Sequence, residues 1–76
     1  MNTFERISHT PGIMGGKACI KGTRITVGVI LMQISEGVTI DTLLAEYPNI
    51  TKEDITEALK YAAWAVGMRE ELVAPA

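Results

Sequence analysis

Residues 51–66 read TKEDITEALKYAAWAV, and this stretch carries the clearest helical pattern in the chain. Thr51 and Asp54 have the spacing of a capping box, in which each side chain accepts a hydrogen bond from the backbone N–H of the other residue. Asp54 takes the place of the more usual glutamate. Behind this start, apolar residues recur at helical spacing along one stripe, made of Ile55, Ala58, Leu59, Ala62 and Val66. We predict a helix that begins after Thr51 and ends at Gly67.

Two shorter amphipathic helices are predicted before this one. Between Val27 and Ile34 the apolar residues are spaced i, i+3, i+4 and i+7, and Gly37 is well placed as a left-handed C-terminal cap. Thr39 can cap the second helix, which carries an aspartate in its first turn. This helix must end by Tyr47, because the proline that follows disfavours a helical residue before it.

Three helices with short connections have the layout of a helix-turn-helix unit. The last two helices are joined by Tyr-Pro-Asn-Ile. Three-helix bundles that never contact DNA share this layout, so the layout leaves DNA binding open. The residues that we assign to the turn between these helices are Tyr47, Pro48, Thr51 and Asp54.

Residues 1–26 lack a helical period and contain the turn signals His-Thr-Pro-Gly, Gly-Gly and Lys-Gly-Thr. Cys19-Ile20 and Arg24-Ile25 flank a short glycine-containing loop, which predicts a β-hairpin or ribbon, with Ile7 placed to add a strand. The predicted fold is therefore mainly α, with a short N-terminal β hairpin or ribbon in front of a three-helix bundle. We expect one domain over residues 1–67, divided into a β extension (1–26) and the bundle (27–67), followed by a tail (68–76).

A chain of 76 residues can bury only a small core. Its single cysteine, Cys19, and single histidine, His9, exclude an internal disulfide and a four-ligand zinc site. We therefore expect extra burial from a second subunit and predict a homodimer. Tyr61 and Trp64 lie beside the main apolar stripe, where aromatic residues favour a dimer or partner interface. A core position for Trp64 at the end of the bundle is the alternative.

The glycine-rich stretch GGKACIKGTR, residues 15–24, does not have the spacing of a nucleotide-binding loop. A Walker A loop needs four residues between its glycines, whereas three separate Gly12 from Gly16, and Ala18 replaces the magnesium-binding hydroxyl. His9 has no evident partner, and Cys19 lies in a predicted strand as a small hydrophobic residue. We predict no catalytic, cofactor-binding or metal-binding residues, and hence a protein that is not an enzyme.

The chain has a net charge of −2, but its charges are distributed unevenly. Four cations and no acid occur from Arg6 to Ser35, whereas eight acids and three cations follow from Glu36 onward. Such asymmetry indicates charged partners. The third helix is the weaker candidate for nucleic acid, because acids in its first turns, Asp54 and Glu57 among them, would repel phosphates. The residues that we predict to bind an acidic partner or nucleic acid are Lys17, Lys21, Gly22, Thr23 and Arg24.

No segment approaches the roughly 20 apolar residues that a membrane span needs. The N-terminal residues MNTFERIS lack a basic region followed by a long apolar stretch, so they do not have the pattern of a signal peptide. We therefore expect no membrane partner and a cytoplasmic location.

Three motifs together resemble the bacterial domain-of-unknown-function 433 family, and the resemblance runs from about Ile7 to Trp64. The motifs are PGIMGGKACIKGTRITV, ILMQISEGVTI and YPNITKEDITEALKYAAW. The resemblance implies a homeodomain-like, helix-turn-helix fold with an N-terminal β extension. It also implies a non-enzymatic antitoxin, encoded beside a PIN-like nuclease that it neutralises. The family pattern falls on Gly15, Gly16, Gly22, Thr23 and Arg24 in the ribbon, and on Tyr47, Pro48, Thr51, Asp54 and Ile55 at the helical turn.

Three functional hypotheses follow from the sequence. The first is an antitoxin-like module that binds a PIN-like toxin and can also repress its own operon. The second is a stand-alone DNA-binding transcriptional regulator. The third is a structural oligomer without DNA binding, in which the basic front half of one subunit meets the acidic back half of the next.

Overall fold

In the computed structural model of the chain, the backbone is described for residues 4–72 and the side chains for residues 4–68. The chain is mainly helical, with a short two-stranded antiparallel sheet at its N-terminal end. This confirms the predicted fold class. In chain order the elements are β1 (Ile7–Ser8), a 3-10 turn (Met14–Gly16), β2 (Cys19–Ile20), α1 (Val27–Ser35), α2 (Ile40–Glu46) and α3 (Lys52–Leu72).

The N-terminal sheet is formed by β1 and β2, with Ile7 opposite Ile20. The predicted hairpin after β2 closes, but beyond its turn it makes a single bridge, between Cys19 and Thr26, instead of a ladder. The turn itself is tight: the Thr23 hydroxyl donates to the Ile20 carbonyl at 2.7 Å and accepts from the Ile25 N–H at 2.9 Å. These local bonds engage the Ile20 carbonyl and the Ile25 N–H, while the Ile20 N–H still donates to the Ile25 carbonyl at 2.9 Å.

The caps of α1 and α2 lie where the sequence predicts them. After α1, Gly37 has a φ of 92°, and its N–H donates to the Ile34 carbonyl, as in a left-handed C-terminal cap. The Thr39 hydroxyl caps α2 by accepting from the N–H of Thr42 at 3.1 Å. Helix α2 ends one residue before Tyr47, in agreement with the restriction that Pro48 imposes.

The core cluster takes one buried aliphatic side chain from β2, from each of the three helices and from the connection before α3. These side chains are at most 5% exposed and form one cluster: Ile20 from β2, Ile30 from α1, Leu43 from α2, Ile50 from the connection, and Ile55 from α3. Ala58 and Leu59 of α3 extend the same face, the first fully buried and the second half-buried. The N-terminal half of α3 therefore packs on the bundle as the stripe predicts.

The predicted end of the third helix is wrong. Helix α3 continues through Gly67 as far as Leu72, and Gly67 does not have the positive φ of a left-handed cap. The residues after it, Met-Arg-Glu-Glu-Leu, all favour helix, and one interior glycine costs about 1 kcal/mol without ending a helix. The helix thus extends into the predicted tail, and residues 73–76 of that tail lie outside the described residues.

The contrast between two glycines tests this helix boundary. We expect Gly67→Ala to stabilise the protein by about 0.5–1 kcal/mol, because an added Cβ would meet no atom within 4 Å and alanine favours helix over glycine. Gly37→Ala should instead destabilise it by about 1–2 kcal/mol, because its left-handed backbone disfavours a side chain. Urea denaturation of both variants measures the two changes. A destabilising Gly67→Ala would contradict the continuous helix.

Candidate interaction surface

Residues 17–24, which we call the basic loop, form the tight turn after β2 together with the segment that leads into it. Lys17, Lys21 and Arg24 are exposed, and within residues 4–68 none of them takes part in an ion pair. Gly22 and Thr23, also predicted to bind a partner, have a different place. Gly22 supplies the turn with a φ of 80°, while the Thr23 hydroxyl is engaged within the turn. The cations are therefore the groups that the loop offers to a partner.

Arg6, the fourth cation of the front half, is already paired. Its Nη1 lies 3.1 Å from Oδ1 of Asp54. Its backbone N–H donates to Oε2 of Glu57, and its carbonyl accepts the N–H of Lys21 at 2.7 Å. Arg6 thus joins β1, the basic loop and the start of α3. The sequence could not predict this pairing, since the two charged partners are 48 residues apart.

This junction corrects the prediction for the acids in the first turns of α3. Asp54 and Glu57 contact the N-terminal segment instead of facing solvent as free acids. A shallow depression on the outward side of α3 is lined by Lys52, Glu53, Thr56 and Lys60. The repulsion of phosphates that the sequence predicts at this face is therefore smaller than expected.

The predicted helix-turn-helix turn is built from structural contacts. The N–H of Thr51 donates to Oδ2 of Asp54 at 2.9 Å, and the N–H of Asp54 donates to the Thr51 hydroxyl at 3.2 Å, which completes the capping box. Tyr47 packs against the core cluster and accepts a hydrogen bond from the Gln33 side chain at 2.8 Å. Pro48 is exposed. The turn thus fixes how α3 leaves α2.

The N-terminal segment covers an aromatic patch on α3. The Phe4 ring lies edge-on to Tyr61 at 5.3 Å and tilted against Trp64 at 5.7 Å. His9, for which the sequence indicates no partner, has its Nε2 3.0 Å from the Tyr61 hydroxyl. Trp64 stays 38% exposed. Part of the predicted aromatic interface is therefore used within the chain, and its role between chains stays a prediction.

An apolar groove separates α1 from the C-terminal half of α3. Its volume is about 560 Å³, and it is open to solvent. Val66, which the sequence places on the inward stripe of α3, is 54% exposed at the groove. At 1.5 Å per residue α3 is about 31 Å long, and its C-terminal half lies beside α1 without packing closely against it. The groove is lined by Lys17, Ala18, Thr26, Val27, Gly28, Val29, Leu31, Met32, Tyr61, Ala62, Ala65 and Val66.

No helix in the described part of the chain has the length and apolar character that a membrane span requires. Likewise, among the side chains of residues 4–68, no three of His, Cys, Asp or Glu come together as a metal-binding group.

Comparison with known proteins places these features in a family. Residues 7–62 match the family model described as "Protein of unknown function (DUF433)". The crystal structure of a DUF433 member protein from Anabaena variabilis ATCC 29413 is similar to this chain, with a TM-score of 0.78 and 34% identity over 92% of this chain and 69% of that one.

A curated relative is much longer. "Uncharacterized protein y4eO" of Sinorhizobium fredii (strain NBRC 101917 / NGR234) is 29% identical over 58 residues, which cover 76% of this chain and 26% of the relative. The chain thus spans about a quarter of the length of the curated relative that it matches.

The Arg6 junction can be tested by a double-mutant cycle. Arg6→Ala, Asp54→Ala and the double variant should give a coupling free energy of about 0.5–1 kcal/mol, since the pair is partly exposed, with Arg6 at 46% and Asp54 at 14%. The coupling should fall as salt is added. Urea denaturation at two salt concentrations measures it. A cycle of Arg6 with Asp41, an exposed acid of α2, is the control and should show none.

Proposed function

The chain belongs to the DUF433 family, whose description assigns no activity, and we propose that it is a non-enzymatic, cytoplasmic antitoxin-like protein. It binds and neutralises a PIN-like nuclease, and it represses its own operon. The observation that carries this proposal is the basic loop: three exposed cations, Lys17, Lys21 and Arg24, that make no ion pair within residues 4–68.

Charge complementarity supports a nuclease as the partner of the basic loop. PIN-type nucleases hold metal in acidic clefts, and a cationic loop entering such a cleft occludes it. Opposite charges across an interface speed association and exclude partners of the wrong sign. Asp54 pairs with Arg6 and Glu57 accepts the Arg6 N–H, and among residues 4–68 neither acid forms an ion pair with a loop cation.

The rigidity of the basic loop also supports binding. The turn is held by both hydrogen bonds of the Thr23 hydroxyl and by the bond from Lys21 N–H to the Arg6 carbonyl. A loop that is fixed before binding loses less conformational entropy when it meets its partner. Gly22 and Thr23 therefore act by shaping the loop.

We place the homodimer contact of this protein at the exposed end of the aromatic patch. Trp64 and Met68 are 38% and 42% exposed, and they lie one helical turn apart on α3. Aromatic residues and methionine are enriched at protein interfaces.

Charge reversal of the basic loop tests the proposed function. Lys21→Glu with Arg24→Glu should abolish complex formation with the PIN-like nuclease that this proposal expects from the neighbouring gene, and growth should no longer be protected from that nuclease. The physical reason is that two repulsions replace two attractions at an acidic cleft. Co-purification and a growth assay on co-expression measure the two effects.

The matched control reverses two exposed cations elsewhere. Lys52→Glu with Lys60→Glu makes the same change in net charge on the outward side of α3 and should leave neutralisation intact. If the loop variant protects cells as well as the wild-type protein does, the basic loop is not the contact.

A second candidate is a DNA-binding regulator, and the Arg6 junction favours it. With Asp54 and Glu57 turned to the N-terminal segment, the outward face of α3 offers Lys52 and Lys60 against Glu53. Recognition helices enter the major groove through residues of this part of the helix.

Salt-dependent gel shifts test DNA binding. If two basic loops of a dimer contact the DNA backbone of its own upstream region, the logarithm of the binding constant should fall against the logarithm of salt with a slope of about −5. Lys52→Glu with Lys60→Glu should weaken binding only if α3 enters the groove. Absence of a shift at low salt, with or without the nuclease, would remove this candidate.

A further inference from the structure

We propose that the groove between α1 and α3 binds an amphipathic helix of a partner protein. The apolar face of that helix lies in the groove, and an acidic residue near one end of the helix pairs with Lys17. The partner is the one that the proposed function assigns, so the inference rests on that function, but its first test does not need the nuclease.

The shape of the groove suits a helix. Small residues from both helices, Gly28, Ala62 and Ala65, are part of its lining and allow a backbone to approach closely. Large apolar side chains beside them remain exposed: Val29 at 39%, Met32 at 59% and Val66 at 54%. Amphipathic helices are recognised in this way, by apolar anchors that enter a hydrophobic groove.

Helix α3 is covered by the core cluster along its first half, and the groove lies beside the rest of the helix. Its N-terminal half buries Ile55 and Ala58 against the bundle, whereas the same stripe continues at Ala62 and Val66 beyond the end of the core cluster. An added helix would continue the packing that α1 and α2 give to the first half. Burying apolar surface contributes about 25 cal/mol per Å².

The charge of the groove selects an acidic helix. Among residues 4–68, Lys17 is the one charged residue of its lining, and no carboxylate of those residues lines it. Lys17 also belongs to the basic loop, so the groove and the loop form one continuous surface. A single partner can therefore place acidic residues on the loop and an apolar helix in the groove.

The charge and the open shape of the groove disfavour two other occupants. If a second copy packed groove against groove, both copies of Lys17 would meet an apolar surface that holds no acid to pair with them. A small apolar molecule would leave much of its surface in water, because the groove is open, whereas ligand pockets bury about 70–90% of a ligand.

The first experiment uses two synthetic peptides as probes. Both are helical peptides of about 18 residues with leucines at i, i+4, i+7 and i+11, long enough to hold a helix. One carries glutamates at its ends and the other carries lysines. In fluorescence anisotropy with the whole chain, we expect the acidic peptide to bind about threefold or more tightly than the basic one. Lys17→Ala should remove that difference.

Two alanines of α3 provide the matched variants. Ala65 lines the groove, whereas Ala63 is exposed and outside that lining. Ala65→Glu should weaken binding of the acidic peptide about tenfold or more, because it puts a carboxylate into an apolar contact. Ala63→Glu should leave the affinity for that peptide within about twofold of wild type. Met32→Glu, at a wall residue that is 59% exposed and whose change spares the core, should act like Ala65→Glu.

Three results would overturn the groove proposal. They are equal affinity of the two peptides for the wild-type chain, equal effects of Ala65→Glu and Ala63→Glu, and a wild-type dimer in sedimentation that Ala65→Glu alone dissociates. The last would show that a second copy fills the groove.

The nuclease then separates the groove from the proposed function. If the neighbouring nuclease does not bind the wild-type chain while the peptides show the expected pattern, the proposed function fails and the groove stands. If the nuclease binds and tolerates both Ala65→Glu and Met32→Glu, the groove proposal fails while the proposed function stands.

Discussion

The contact between Arg6 and the start of α3 is the interaction on which the placement of the N-terminal third depends. The two strands are two residues each and would not hold together alone. Arg6 fixes β1 to α3 through Asp54 and Glu57, and it holds the basic loop through the N–H of Lys21. Together with the buried Ile20 of β2, Arg6 thereby sets the position of the loop cations relative to the helical bundle. The orientation of the candidate interaction surface follows from this contact.

The helical bundle behind this contact has a small buried core. Five aliphatic side chains, drawn from β2, the three helices and the connection before α3, make up the buried cluster. Such a core gives a small margin over conformational entropy. The C-terminal half of α3 nevertheless keeps apolar side chains in water at Val66 and Met68. Exposed apolar surface lowers the stability of a chain with so small a core, and a binding partner that covers this surface would raise the stability.

What the sequence could predict is what short-range chemistry determines. The capping box of Thr51 and Asp54 spans three residues, so its geometry follows from spacing alone. The junction of Arg6 was not predictable, because nothing local connects residues 48 positions apart. Gly37 and Gly67 show that a glycine alone does not predict where a helix ends. The first ends a helix and the second lies within one, and only the residues that follow tell them apart. The sequence does not predict the groove for a related reason: the stripe of α3 is periodic throughout, but the packing of the other elements decides where it is covered.

Cys19 can report the local unfolding of the N-terminal sheet. The thiol is 2% exposed in β2, where it is paired with Ser8 on one side and bridged to Thr26 on the other. A thiol reagent reaches it only when the sheet detaches from the bundle, so the rate of labelling measures the free energy of that local unfolding. Because Cys19 belongs to residues 17–24, which form the basic loop, a partner that binds the loop should slow the labelling. Occupancy of the surface can thus be followed at an unmodified residue of the native chain.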